Sequence, residues 1–271
     1  MLRLGLILGA TLSSPVQSAD QRDLPRDLPR TIVHSHNDYL RKRPVLDALE
    51  AGAGSLEADV YLVDGQLLVG HDRKDLVPGR TLQSLYLDPL QAWIKAHPRR
   101  EEPLWLLVDV KENGREVYAR LREIFTDFPI VADSTTGKAP VRIVLSGALA
   151  SAAGREIVRE HPTPWAGIDG RLTDLNLPED LTVPMPWISE SWLGTFRWLG
   201  IGAMPTDDYR RIRDMAQRAR QHGRRLRFWG APDLADVWRT QVQAGVDLLS
   251  TDRPAEAGRI VQTVRRESTR R

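Results

Sequence analysis

Residues 31–72, TIVHSHNDYLRKRPVLDALEAGAGSLEADVYLVDGQLLVGHD, decide the fold. Two short apolar runs in this stretch each end in polar residues that a solvent-facing strand would not need. Thr31-Ile32-Val33 leads into His34-Ser35-His36-Asn37-Asp38, and Gly54-Ser55-Leu56 leads into Glu57-Ala58-Asp59-Val60. Side chains two apart on a strand share a face, so His34 goes with His36 and Glu57 with Asp59. A third run, Leu104-Trp105-Leu106-Leu107-Val108, finishes in Asp109 and Lys111 in the same way. Strands that each end in a same-face polar pair make a site at one end of a sheet.

Outward from that stretch, strands alternate with helices. Pro44 opens a helix that Gly52 and Gly54 stop, residues 55–63 form a strand, and Asp64-Gly65 is a hairpin signal returning the chain through 66–70. Helices are expected at 88–97, near 115–125, from about 149 to 160, at 207–222, at 233–244 and from Pro254 to about 265. Strands are expected at 104–109, 141–145, 165–168, 181–185, 226–229 and 246–250. Such alternation implies a parallel sheet of βαβ units, and about 250 residues suit one (β/α)8 barrel. The fold class is therefore α/β, a TIM barrel with its active site at the C-terminal ends of the strands.

Residues 1–19 read as a signal peptide, with Arg3, an apolar stretch and a small-residue cleavage zone. Residues 20–30 form an extended lead-in and 31–271 a single domain. The apolar stretch is far shorter than the ~20 residues of a membrane span. With no Cys, export would suit a bacterial periplasm or secretion. A net charge of +2 gives no argument for nucleic acid. The late arginines and the tail at 265–271 read as solvated, with contact to a membrane surface as the other use of such charge. A monomer is expected.

Asn37, Glu57, Asp59 and Asp109 would converge from adjacent strand ends. Clustered carboxylates repel unless a cation or protons compensate them. Oxygen ligands without Cys select a hard ion, Mg²⁺ or Ca²⁺. His36 and His71 flank these carboxylates as candidates for general base and general acid. His34, one pleat deeper than His36, is counted around the substrate together with Lys111 and Trp229, which ends its strand at the barrel mouth.

The residues resemble the phosphatidylinositol-specific phospholipase C-like phosphodiesterases, which include the glycerophosphodiester phosphodiesterases. Ser35-His36-Asn37-Asp38-Tyr39-Leu40 is similar to the Ser-His-Asn-Thr-Tyr-Leu of the phospholipase C catalytic domain. Glu57-Ala58-Asp59-Val60, Asp64-Gly65 and Val69-Gly70-His71-Asp72 resemble the glycerophosphodiesterase signature, and residues 246–254, VDLLSTDRP, resemble its closing motif. The opening together with Glu-Ala-Asp-Val is most similar to the branch named for altered inheritance of mitochondria protein 6. The resemblance implies a (β/α)8 barrel, His36 and His71 as catalytic, and Asn37, Glu57, Asp59 and Asp109 as ligands of one divalent cation. Lys111 would contact phosphate or balance the carboxylates. The sequence departs in lacking the His-Arg-Gly opening and in having Asp109 where glutamate is expected.

The expected function is metal-dependent hydrolysis of a glycerophosphodiester or phospholipid-type phosphodiester by two-histidine acid–base catalysis. A metal-dependent amidohydrolase, with His34 and His36 as ligands, and a catalytically weak binding protein are the alternatives.

Overall fold

The computed structural model describes residues 30–98, 102–132, 139–178, 180 and 183–270. The expected signal peptide, most of the lead-in, and residues 181–182 of one expected strand lie outside the described residues. The strands are β1 (Ile32–Ser35), β2 (Ser55–Val63), β3 (Gln66–Val69), β4 (Leu104–Val110), β5 (Val141–Gly147), β6 (Ala166–Gly170), β7 (Trp187–Ser191), β8 (Arg225–Trp229) and β9 (Leu248–Thr251). All but β3 are parallel, in the order β1-β9-β8-β7-β6-β5-β4-β2, and pairing of β1 with β2 closes the ring. This is a (β/α)8 barrel. Helices including Pro44–Glu50, Gly114–Thr126, Thr206–Gln221 and Pro254–Thr269 pack outside it.

Local chemistry explains the element ends. Asp64 (φ 47°) and Gly65 (φ 75°) take the left-handed conformation that a two-residue hairpin turn requires, and β3 pairs antiparallel with β2. The Ser151 side chain accepts from the Gly154 amide at 3.0 Å, so the helix expected from about 149 begins at Ala152. The strand expected at 181–185 instead forms at Trp187–Ser191. Pro184 and Pro186 have no amide to donate, which removes them from a ladder position. The strand expected from 246 starts at Leu248, because the Val246 amide bonds back to the Gln241 carbonyl at 3.0 Å. Trp192 and Trp198 pack with Phe196 and Phe228 outside the ring.

The lumen has two layers. Towards the N-terminal ends of the strands it is apolar, with Ile32, Trp105, Leu107, Val144, Trp187 and Leu248. Above this lies a polar layer of His34, Glu57, Asp169 and Arg227, all buried. His34 is fully enclosed: its Nδ1 lies 2.7 Å from Ser55 Oγ, its Nε2 2.8 Å from Glu57 Oε2, and its ring meets Trp187 edge-on at 5.7 Å. The expectation that His34 touches substrate is corrected by this enclosure. Burial, reinforced by the Arg227 charge, lowers its pKa from 6.5 to about 4.

That shift fixes the sign of a pH effect. Between about 4 and 6.5 the unfolded chain holds a proton at His34 that the folded protein refuses. Stability therefore falls as pH is lowered through that window, by on the order of 1–3 kcal/mol from this group. Urea unfolding from pH 7 to 4 should show a shallower loss in His34→Gln than in wild type; parallel pH curves would contradict the assignment.

Candidate active site

β2 delivers Glu57 and Asp59, and β4 sets Asp109 directly beside Asp59 in register. One ligand oxygen from each of Glu57, Asp59 and Asp109 lies within 4.8 Å of the others. Burial would raise the Glu57 carboxyl, but the Arg227 guanidinium and the His34 hydrogen bond outweigh it and hold the group well below the usual range. At Asp59, burial and the Glu57 charge push the pKa up to about 6 against the pull of Lys111. Lys111 Nζ bridges Asp59 and Asp109 at 3.0 and 2.6 Å. Gly147 (φ 63°) makes room for this pair, since a Cβ there would sit 2.4 Å from Asp109 Oδ1 and 2.3 Å from the Val110 carbonyl.

Beyond the end of β1, Asn37 turns the chain with φ 51°. The Tyr39 hydroxyl lies 2.7 Å from Asn37 Oδ1 and 2.9 Å from Asp59 Oδ2, so it links the loop to the carboxylates. His36 Nδ1 lies 2.8 Å from Asp252 Oδ1, which follows β9. Burial alone would lower the His36 pKa, but the Asp252 hydrogen bond and the Glu57 charge raise it above its ordinary value. Asp252 is itself held on both sides. Its amide donates to Asp233 Oδ2 at 2.9 Å, and Arg41 donates to its carbonyl at 2.8 Å.

His71 follows β3. The Gly70 amide bonds to the Asp59 carbonyl at 3.1 Å and the Tyr61 hydroxyl to the His71 carbonyl at 3.1 Å, so its backbone is fixed against β2. Its side chain is exposed, with Nδ1 3.4 Å from Asp72 Oδ1. Trp229 is exposed at the end of β8. The structure thus joins Glu57, Asp59, Asp109 and Lys111 directly, connects Asn37 and His36 to them through Tyr39 and Asp252, and leaves His71 and Trp229 on the rim.

Sequence reading passed over Arg227, Asp252, Tyr39 and Asp169. Asp169 is buried on β6 between Ser146 Oγ at 3.0 Å and Ser189 Oγ at 2.6 Å. A charged residue flanked by apolar or small neighbours within a strand, as in Leu226-Arg227-Phe228 and Ile168-Asp169-Gly170, was the available signal, because such a residue is buried only when paired. The carboxylate oxygens that meet here suit a hard divalent cation. The charge on Lys111 shows that the cluster already requires compensation.

A family model described as the AIM6-like phosphodiesterase domain matches residues 22–102. Altered inheritance of mitochondria protein 6 of Eremothecium gossypii is 30% identical over 88% of this chain and 71% of its own length. The homolog of Arthroderma benhamiae is 29% identical over 81% of this chain and 80% of its own. Among solved structures, a glycerophosphodiester phosphodiesterase from Parabacteroides distasonis superposes with TM-score 0.56 at 17% identity, covering 88% of this chain and 99% of that one. A calcium-dependent phosphoinositol-specific phospholipase C from Pseudomonas sp. does so with TM-score 0.50 at 14% identity, over 83% and 89%. These two likenesses show the shared barrel. The relatives, eukaryotic and named for mitochondria, overturn the expectation of a periplasmic or secreted location read from residues 1–19. With 30% identity over 88% of this chain and 71% of that relative, the chain belongs to the altered inheritance of mitochondria protein 6 family, whose domain is described as AIM6-like phosphodiesterase.

Proposed function

We propose that this chain is a metal-dependent phosphoric diester hydrolase acting on a glycerophosphodiester or phospholipid-type substrate. The observation that carries the reading is the convergence of Glu57, Asp59 and Asp109 oxygens within 4.8 Å beside an Asp252-held His36. Glu57, Asp59, Asp109 and Asn37 would hold the cation, Mg²⁺ or Ca²⁺, which polarises the phosphoryl group and makes a hydroxyl a better nucleophile. With Nδ1 committed to Asp252, His36 offers Nε2 to take the nucleophile's proton. His71, exposed on the opposite hairpin, is free to give a proton to the leaving alkoxide. Lys111 would meet the phosphate, and Trp229, exposed at the end of β8, the rest of the substrate. The barrel neighbours, a glycerophosphodiester phosphodiesterase and a phospholipase C, support the substrate class. The amidohydrolase alternative loses support, since both ring nitrogens of His34 are already bonded within the lumen.

Chelation by EDTA should abolish hydrolysis of glycerophosphodiesters or lysophospholipids, and Mg²⁺ or Ca²⁺ should restore it. Full activity in EDTA would sink the metal assignment. His36→Ala and His71→Ala should each lose ~10²-fold or more in turnover. Calorimetric metal affinity should stay nearly unchanged in both, whereas Glu57→Ala should lose the ion. Loss of metal in His36→Ala would show it to be a ligand instead. The third test uses pH. A base must be neutral to act, so the acid limb of kcat/KM reports the His36 pKa in the free enzyme. Asp252→Asn removes the charge that raises it, and the limb should move to lower pH. A limb that stays put would exclude His36 as that base.

A further inference from the structure

We infer that a cavity at the pole opposite the candidate active site binds a small organic phosphomonoester through Arg30, Arg225 and Arg265. The cavity holds about 360 Å³ at the N-terminal ends of the strands, where five segments of the chain meet. Its walls are the start of β1 at 30–33, the turn at 51–54 that leads into β2, Glu102-Pro103 before β4, Arg225 at the start of β8, and the last helix, Pro254–Thr269. The apolar floor of the lumen, with Ile32 and Trp105, separates it from Glu57, Asp59 and Asp109.

The charges around this space do not cancel. Among the described residues, Arg30, Arg225, Arg265 and Glu102 line it, a balance of +2. Arg30 Nη1 lies 3.3 Å from Glu102 Oε1. The side chains of Arg225 and Arg265 have no ion pair and no hydrogen bond among the described residues. Arg225 is set instead over the Trp105 ring, 4.8 Å from its centroid, with Arg142 5.4 Å from the same ring. Burial lowers the Arg225 pKa, opposed by Asp247 and helped by the Arg142 charge, and burial with the Arg30 charge lowers that of Arg265. A guanidinium does not shed its proton in a protein, so partly buried charges of one sign call for an anion.

Chemistry selects which anion. One guanidinium fork satisfies a carboxylate, whereas a phosphomonoester offers three acceptor oxygens and a charge of about −2 to arginines that arrive from three segments. A phosphodiester, with a single charge and two free oxygens, matches the walls less well. Beside the arginines, Ile32, Val33, Leu49 and Val261 give the cavity an apolar wall that inorganic phosphate would leave uncovered. The helix Pro44–Glu50 ends here, but its carbonyls are satisfied within the turn. The amides of Ala51, Gly52 and Ala53 bond back to Asp47, Leu49 and Ala48 at 3.2, 2.9 and 3.0 Å. A ligand in this place joins the first strand to the last helix. No residue of the candidate active site takes part, so the inference stands apart from the chemistry proposed above.

The test is thermal unfolding of the full chain in EDTA at constant ionic strength, with phenyl phosphate and glycerol 3-phosphate against inorganic phosphate and chloride. At saturation both esters should raise the wild-type midpoint by at least about 4 °C, and inorganic phosphate should raise it less. Calorimetric affinity for phenyl phosphate should fall at least about tenfold in Arg225→Gln and in Arg265→Glu. Arg265 is the more exposed of the two, so its variant carries the test even where Arg225→Gln fails to fold. Lys111→Gln, altered at the acidic cluster, should bind the ester as wild type does. The inference is overturned if the esters do no more than chloride, if inorganic phosphate matches them, or if Arg265→Glu binds as tightly as wild type. It is equally overturned if Lys111→Gln loses the ester, which would place it among the carboxylates. Absence of hydrolysis in every assay would sink the catalytic reading and leave this one standing.

Discussion

A carboxylate enclosed in the barrel must be compensated before anything above it can form. Glu57 is that group, and Arg227 and His34 both reach it. An ionised carboxylate only accepts, so His34 presents Nε2–H to Glu57 and accepts the Ser55 hydroxyl at Nδ1. The neutral imidazole that burial favours is therefore the form the carboxylate uses, and Arg227 supplies the charge. Removing one partner of such a buried set typically costs 3–5 kcal/mol, because the remaining charge is left without a counterpart. Both partners meet the same oxygen of Glu57, Oε2.

Above this clamp the balance is looser, and that difference suits exchange. Asp59 and Asp109 share a single ammonium, from Lys111, on a four-carbon stem that is free to swing. Under the function proposed above, a divalent ion held by these carboxylates would take over the compensation that Lys111 supplies, whereas the Arg227 guanidinium would keep its place on Glu57. The apolar floor of tryptophans and leucines keeps water from entering below, so charges in the upper layer act in a medium that screens them weakly.

The parts of this architecture that depend on local period were legible in the chain. Same-face pairing of Glu57 with Asp59, the Asp64-Gly65 turn and the alternation of strands with helices all follow from it. Depth was not legible. His34 and His36 share a face by period, yet one is sealed inside the ring and the other stands beyond the strand end. Period gives direction and says nothing of where along the barrel water stops. The pairs His36–Asp252 and Glu57–Arg227 span most of the chain, and no local pattern encodes a contact of that span. The strand expected at 181–185 was misplaced for a different cause: prolines interrupt the run before Trp187, and of the indoles that follow one another there Trp187 faces the lumen while Trp192 and Trp198 pack outside the ring, at no fixed repeat.

The ring closes where the first strand meets the last. β1 pairs with β9 along its whole length and with β2 at only two positions, His34–Ser55 and Ser35–Leu56. During synthesis the N-terminal strand therefore has little to hold it until the final strand emerges, and its loop-closure entropy is recovered only at the end. Asp252, which orients His36, arrives at that same moment. A chain halted short of this point would carry the acidic cluster of β2 and β4 without the histidine in position, so completion of the fold and assembly of the site are one event in time.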